Sequence, residues 1–198
     1  MNITILCEGR TERVFKETLK KFVDAQLGDL PKPRLHFISY DGAIPTDEKL
    51  KRVVEISLET GAMAVIALTD VYPMFISAAD AKKRMINWVP RQPKFYPHVA
   101  LYDFEAWLLP YWEKITQLAG KEANPFAANP ETVNGKKPPA HRLKALFETG
   151  KSRDSYSKPR DAGRILRSAD LMVAITACPE LKAFVNTILK LCDGTEIK

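Results

Sequence analysis

Short apolar runs alternate with longer amphipathic segments along the first half of the chain. Asn2–Cys7 is apolar and rich in β-branched residues, the pattern of a buried central strand. Gly9 breaks that run. Thr11 is then placed to cap a helix through about Asp24, with Val14, Phe15, Leu19, Phe22 and Val23 forming its apolar stripe. Pro31 and Pro33 punctuate the chain before a second strand, Leu35–Ser39. Thr46, followed by Asp47 and Glu48, opens a second helix that stops near Gly61, since acids suit a first turn. Ala64–Thr69 is a third strand, almost wholly apolar, and it ends on Asp70. A helix over Ala78–Trp88 and a strand-like stretch, Phe95–Tyr102, follow.

Strand and helix in alternation imply an α/β fold, a mostly parallel sheet flanked by helices. Residues 1–117 hold this core. From 118 to 139 the composition shifts to Asn, Pro, Gly and Lys, which reads as a connecting loop. Residues 140–198 form a helical C-terminal part packed on the core, with helices over about Ala140–Glu148, Asp161–Thr176 and Pro179–Leu191. There is no internal repeat and no low-complexity tract.

The composition narrows the class. A hydrophobic fraction of 45% with 27% charged residues is that of an ordinary globular chain, so disorder is excluded as the default. No apolar run approaches the roughly 18 residues of a membrane span. The apolar start lacks a basic leader and a small-residue cleavage site and runs into the acidic Glu8, so it reads as a strand and not a signal peptide. Cys7, Cys178 and Cys192 have neither metal spacing nor an even count, and a cytoplasmic location is expected. The net charge of +6 is compatible with a polyanionic partner. Its distribution is more telling, because the basic residues cluster late, at Lys136-Lys137, His141-Arg142, Lys151, Arg153, Lys158, Arg160, Arg164 and Arg167. Carboxylates for a metal in one half and cations for phosphate in the other suit phosphodiester chemistry.

Three acidic positions stand where such chemistry needs them. Ligands of parallel α/β sheets bind outside the carboxyl ends of the strands, and Glu8 and Asp70 each sit just past such an end. Glu8 is followed by a glycine that permits a tight turn, and then by a helix start whose N–H groups suit a phosphate near Arg10 and Thr11. The structural alternative for Glu8 is a cap of the following helix, and Glu12 is either a further site acid or, the leading reading, a solvated first-turn acid. Asp70 is placed to ligate Mg²⁺ or Mn²⁺, since Mg²⁺ usually takes only one or two carboxylates; the structural alternative is a cap or turn former. Asp103 and Glu105 share a face if the strand continues through them. They diverge by roughly 200° if a helix has begun, and Asp103 is then its cap. His36 and His98 read as satisfied strand residues, and Cys7 as too buried for a nucleophile. Arg142, Lys158 and Arg160 are candidate phosphate clamps, against the plainer reading of a charged helix surface.

The run Cys7-Glu8-Gly9-Arg10-Thr11-Glu12 resembles the first motif of the Toprim superfamily, Glu-Gly-x-Thr-Glu after the first strand. More closely, the chain resembles small stand-alone prokaryotic Toprim-like proteins catalogued as a domain of unknown function. That resemblance extends through Leu68-Thr69-Asp70-Val71-Tyr72, Asp103-Phe104-Glu105-Ala106, Pro138 to Leu143, Tyr156-x-Lys158, Gly163 and Ala177 to Glu180. It implies a Toprim-like (Rossmann-like) fold with Glu8 as the catalytic glutamate and Asp70 as the first aspartate of Asp-x-Asp. Tyr72 stands where the second aspartate is expected, and Asp103 and Glu105 are the candidates to replace it. It also implies an ABC-type ATPase partner in prokaryotic anti-phage defence, as in an OLD-family nuclease split in two. The leading expectation is a Mg²⁺-dependent nuclease acting on DNA or RNA. The alternative is a catalytically inactive module that binds an ATPase or nucleic acid. A nucleotide-binding regulator is weaker still, because no Gly-rich phosphate loop is present.

Overall fold

Four strands, β1 (Asn2–Cys7), β2 (Arg34–Ser39), β3 (Ala64–Asp70) and β4 (Phe95–Ala100), form one sheet in the order β2-β1-β3-β4. All three pairings are parallel. The computed structural model describes residues 1–125, 129–132, 137–151 and 155–198, so Lys136 and Arg153 of the late basic cluster lie outside the described residues. The fold is α/β, with a helical C-terminal segment.

The period of the strands assigns the helices to faces. Ile3, Ile5, Ile66 and Leu68 share a core with Phe15 and Leu19 of α1 (Arg10–Leu27). The alternate residues Leu6, Val65 and Ala67 share another with α2 (Asp47–Glu59) and α3 (Ala78–Trp88). Successive side chains of a strand point to opposite faces, so Asp70, two residues beyond Leu68, belongs to the α1 face. The C-terminal helices cover that same face. Trp107 of a 3₁₀ helix (Phe104–Tyr111), Phe147 of α5 (Pro139–Thr149), Ile165 of α6 (Lys158–Leu166) and Phe184 of α8 (Pro179–Leu191) all join the α1 core. Between them run α4 (Trp112–Ala119) and α7 (Leu171–Ala177).

The strand order reverses between β1 and β3, because the chain leaves β1 toward β2 and returns to β1's other side. A crevice at the carboxyl ends of strands opens at such a reversal. Glu8 and Asp70 flank it. On the α1 side, α6 closes tightly on α1 at Gly163, where an added Cβ would lie 3.0 Å from Val14 Cγ1.

Three sequence expectations are corrected. Asp161–Thr176 is not one helix. It breaks into α6 and α7 at 167–170, where Ser168 takes a left-handed φ of 62° and the Asp170 side chain caps Met172 N–H. The fourth strand stops at Ala100 and not Tyr102, since Tyr102 is left-handed at φ 71° and turns the chain out of the ladder. The 118–139 stretch is more than a connector. A 3₁₀ turn at Pro130–Thr132 buries Glu131, whose carboxylate accepts Trp107 Nε1–H at 2.9 Å and the N–H groups of Glu180 and Leu181 at the start of α8. No single helix among the described residues is long and apolar enough to cross a membrane. The apolar pair α7 and α8 bends by 119° and packs into the core.

Candidate active site

Glu8 ends the buried strand β1 and turns its carboxylate across to β3. Its Oε1 accepts the Asp70 N–H at 2.9 Å and also the Thr69 hydroxyl, so neighbouring strand ends fix its position. Burial raises the Glu8 carboxyl above its usual range, against Thr69, the Asp70 N–H and the Lys158 charge, which pull it down. Gly9 follows, its N–H donating to Glu12 Oε1 at 3.2 Å, the half of a capping box that the third helical residue supplies.

Asp70, half-buried, faces Glu8 from the tip of β3. Its carboxyl is pushed well above the ordinary range, first by burial and then by Glu8, Glu12, Glu105 and Asp103. Its carboxylate accepts no hydrogen bond among the described residues. Four other acids therefore crowd one aspartate with little compensation, an arrangement that costs stability unless it serves a purpose.

Asp103 and Glu105 follow the helical alternative. Asp103 stands extended at the N-cap of the 3₁₀ helix, and Glu105 lies in its first turn. Asp103 Oδ2 accepts the Ala140 N–H at 3.1 Å, at the start of α5, while Oδ1 is buried without a partner among the described residues. Burial, and then Glu105, push the Asp103 carboxyl up to about 7. Glu105 is fully buried, at 0% exposure. Its Oε2 meets Lys158 Nζ at 3.1 Å, and its Oε1 lies 3.5 Å from the Tyr156 hydroxyl.

Lys158 begins α6 and reaches into the acid cluster from the C-terminal segment. Burial works to lower its pKa, but Glu105, Asp70 and Asp103 outweigh that and hold it above the ordinary lysine value. The ammonium is thus charged at any ordinary pH. Glu8, Asp70, Glu105 and Lys158 line one open cleft of about 350 Å³, with Arg10 and Thr11 at the start of α1.

The structure therefore brings together Glu8, Asp70, Glu105, Lys158, Arg10 and Thr11. Asp103 sits against α5, within electrostatic reach of Asp70. Arg142 stands apart, its Nε–H donating to the Lys137 carbonyl at 3.0 Å, and it does not line the cleft. Tyr72 is half-exposed in the loop beyond Asp70.

The chain is a DUF4276 domain. The profile of that family, described as a domain of unknown function, matches residues 7–189 and so takes in every element from the end of β1 to α8. Neither a curated protein nor a solved structure matches the chain.

Two contributors to the DUF4276 cleft go beyond the leading sequence reading. Glu12 is not a solvated acid. It is only 5% exposed, and burial, with Glu8 and Glu105, raises its carboxyl above its usual range. A Glu three residues past a helix-capping glycine fits a capping box, which hides that it also faces the crevice. Thr69 is a β-branched strand residue whose hydroxyl contact to Glu8 depends on register alone. Cys7 agrees with its expectation, whereas Thr11 does not cap α1, since Gly9 holds the N-cap, His36 is exposed, and His98 is satisfied at Nε2 but not at its buried Nδ1, which has no partner among the described residues. Burial pushes the Cys7 thiol up to about 12, so it stays protonated and unreactive. His98 pairs Nε2 with Thr187 Oγ1 at 2.9 Å, and burial holds it neutral, lowered to about 4.

The donor set suits a hard divalent cation. It offers carboxylate oxygens, among them Asp103 Oδ1, which is buried without a partner among the described residues. Among the described residues no group of three or more His, Cys, Asp or Glu side chains is placed to hold a metal ion. Mg²⁺ commonly takes one or two carboxylates and keeps several waters, and Glu8 and Asp70 are the pair that could supply them.

Proposed function

We propose that this DUF4276 domain is a Mg²⁺- or Mn²⁺-dependent phosphodiesterase of Toprim type, a nuclease. The observation that carries the reading is the meeting of Glu8, Asp70, Asp103 and Glu105 with one charged lysine at a topological switch point. Glu8 and Asp70, backed by Asp103 or Glu105, would hold the ion. Bound there, it supplies Lewis-acid polarisation of the phosphate and of a bound water.

The chain's own groups account for the proton and the charge. Glu8, whose carboxyl burial raises above its usual range, takes a proton from the attacking water. The water oxygen bonds to phosphorus as the bond to the leaving sugar oxygen breaks, and that oxygen is protonated from solvent. Lys158 balances the charge on the phosphate; Glu105 Oε2 holds its ammonium, and the Tyr156 hydroxyl donates to the other oxygen of Glu105. Arg10 and Thr11 flank the phosphate at the α1 N-terminus.

An ABC-type ATPase partner in an anti-phage system belongs to the same proposal. Exposed apolar side chains at Tyr72, Met74 and Ile76, directly after β3, support a docking partner next to the cleft. A cytoplasmic setting accords with three buried, unpaired cysteines. The second reading, an inactive binding module, is favoured by Tyr72 at the position of the second acid.

Incubation with plasmid DNA, single-stranded DNA and tRNA in Mg²⁺ or Mn²⁺, with and without a candidate ATPase, separates the two. Metal-dependent cleavage that falls at least 100-fold in Glu8→Gln is the expected result. No cleavage by the wild type under any of these conditions sinks the enzyme and leaves the binding module.

A further inference from the structure

The acid cleft is not isolated. It shares Arg10 and Pro159 with a second hollow of about 460 Å³, which in turn shares Val14 and Glu17 with a third of about 800 Å³ between α1 and α6. The three adjoin through these shared residues, and the seam they make together runs from Glu8 and Asp70 to the α6–α7 break at Ser168. From Arg10 to Lys21 the seam follows α1 for about 16 Å.

Cations line it on both sides. Arg10, Arg13 and Lys21 come from α1, and Arg160, Arg164 and Arg167 from the α6 side, against the acids Glu17 and Asp170. Arg160 and Arg164 lie one turn apart on one face of α6, and Arg167 follows at its C-cap. The aim of the first two is set from beneath. Asp161, fully buried, accepts a two-pronged contact from Arg160 at 3.0 and 2.9 Å and a third from Arg164 at 3.4 Å. Arg13, Lys21 and Arg167 are exposed and make no ion pair among the described residues.

The floor of the seam is apolar, with Val14, Phe22, Leu166 and Leu171. Cationic walls over such a floor suit a polymer of regular negative charge that also presents flat apolar groups. A seam between two helices that touch at Gly163 takes an extended strand and not a duplex.

We infer that the α1–α6 seam is a binding track for single-stranded nucleic acid, which it feeds toward the acid cleft. The destination of the strand rests on the phosphodiesterase reading; the track itself does not. Its cations contact backbone phosphates, and Phe22 with its apolar neighbours meets bases.

Fluorescence anisotropy with labelled 12-nucleotide dT and rU strands and a 12-base-pair duplex, in EDTA, tests this without cleavage. The full chain is compared with Arg13→Glu/Lys21→Glu/Arg167→Glu. A control, Lys49→Glu/Arg52→Glu/Lys83→Glu, makes the same change in net charge on α2 and α3, across the sheet. The seam variant is expected to bind at least 10-fold more weakly at 50 mM salt. Its slope of log K against log salt should be shallower by about 2, since each phosphate contact on a single strand contributes about 0.7. The control should stay within about 3-fold. The dT and rU arms tell DNA from RNA, and either one binding supports the track.

Equal losses in the two variants, tighter binding of the duplex, or no strand binding at 50 mM salt would overturn it. The last outcome would turn the seam over to an acidic protein surface. A wild type that binds strands through the seam but never cuts them keeps the track and removes the enzyme.

Discussion

Asp70→Asn is expected to abolish metal-dependent cleavage and, without metal, to raise the thermal midpoint by several degrees, more at pH 8 than at pH 5. The sign follows from the direction of the shift. Burial and four neighbouring acids hold the Asp70 carboxyl well above its unfolded value. Between those two values the folded chain binds a proton that the unfolded chain does not, so the stability of the wild type falls as pH rises through that window. Asp103, pushed up to about 7, adds a loss of the same sign between about pH 4 and pH 7. Asparagine keeps the shape of Asp70 and removes the charge. It relieves Asp70 itself and, through it, the crowding of Glu8.

In a chain of this size each kcal/mol relieved raises the midpoint by about 2–4 °C. Added Mg²⁺ should reverse the order, stabilising the wild type and leaving Asp70→Asn unchanged. Melting curves at the two pH values, with and without Mg²⁺, give all four comparisons. A midpoint lowered by Asp70→Asn at pH 8 would mean that this carboxylate supports the fold.

The second large effect lies away from the cleft. Glu131→Ala is expected to destabilise the fold by about 2–4 kcal/mol. The buried carboxylate is the common acceptor for Trp107 Nε1–H and for two N–H groups that open α8. Alanine would leave those three donors without an acceptor and remove a negative charge from a helix N-terminus. Trp107 packs on Phe15, Phe104 and Phe184, so the loss reaches the centre of the α1 core. Urea unfolding followed by tryptophan fluorescence reads the change in midpoint. A loss below about 0.5 kcal/mol would place Glu131 among ordinary surface acids.

How legible each part of this molecule is depends on the range of the interactions that build it. The strand β1 and the helices Ala78–Trp88 and Pro179–Leu191 coincide with their sequence patterns, because period and local end signals determine them. The positions of Glu8 and Asp70 at strand ends were equally open to reading, since they follow from where an apolar run stops. The α6–α7 break was not. Arg167-Ser168-Ala169-Asp170 contains no glycine or proline, and the break is made by a left-handed serine together with the Asp170 cap. Glu131 sits in a stretch of Asn, Pro and Gly that looks like a linker, and its partners lie 24 and about 50 positions away. The pairing of Glu105 with Lys158 spans 53 positions, and nothing local in either segment foretells it. Lys158 is legible as one cation of a late basic cluster, and only the packing of α6 on α1 brings it to the acids.

Calorimetric titration of the metal-free chain with Mn²⁺ at pH 7, in two buffers of different ionisation enthalpy, tests the acid cluster as a cation site most directly. Burial and neighbouring acids raise these carboxyls, Asp103 to about 7, so an ion that binds there displaces protons. Saturable binding, a heat that differs between the buffers in the direction of proton release, and loss of both in Asp70→Asn is the predicted result. No saturable heat, or binding that Asp70→Asn leaves intact, would contradict it.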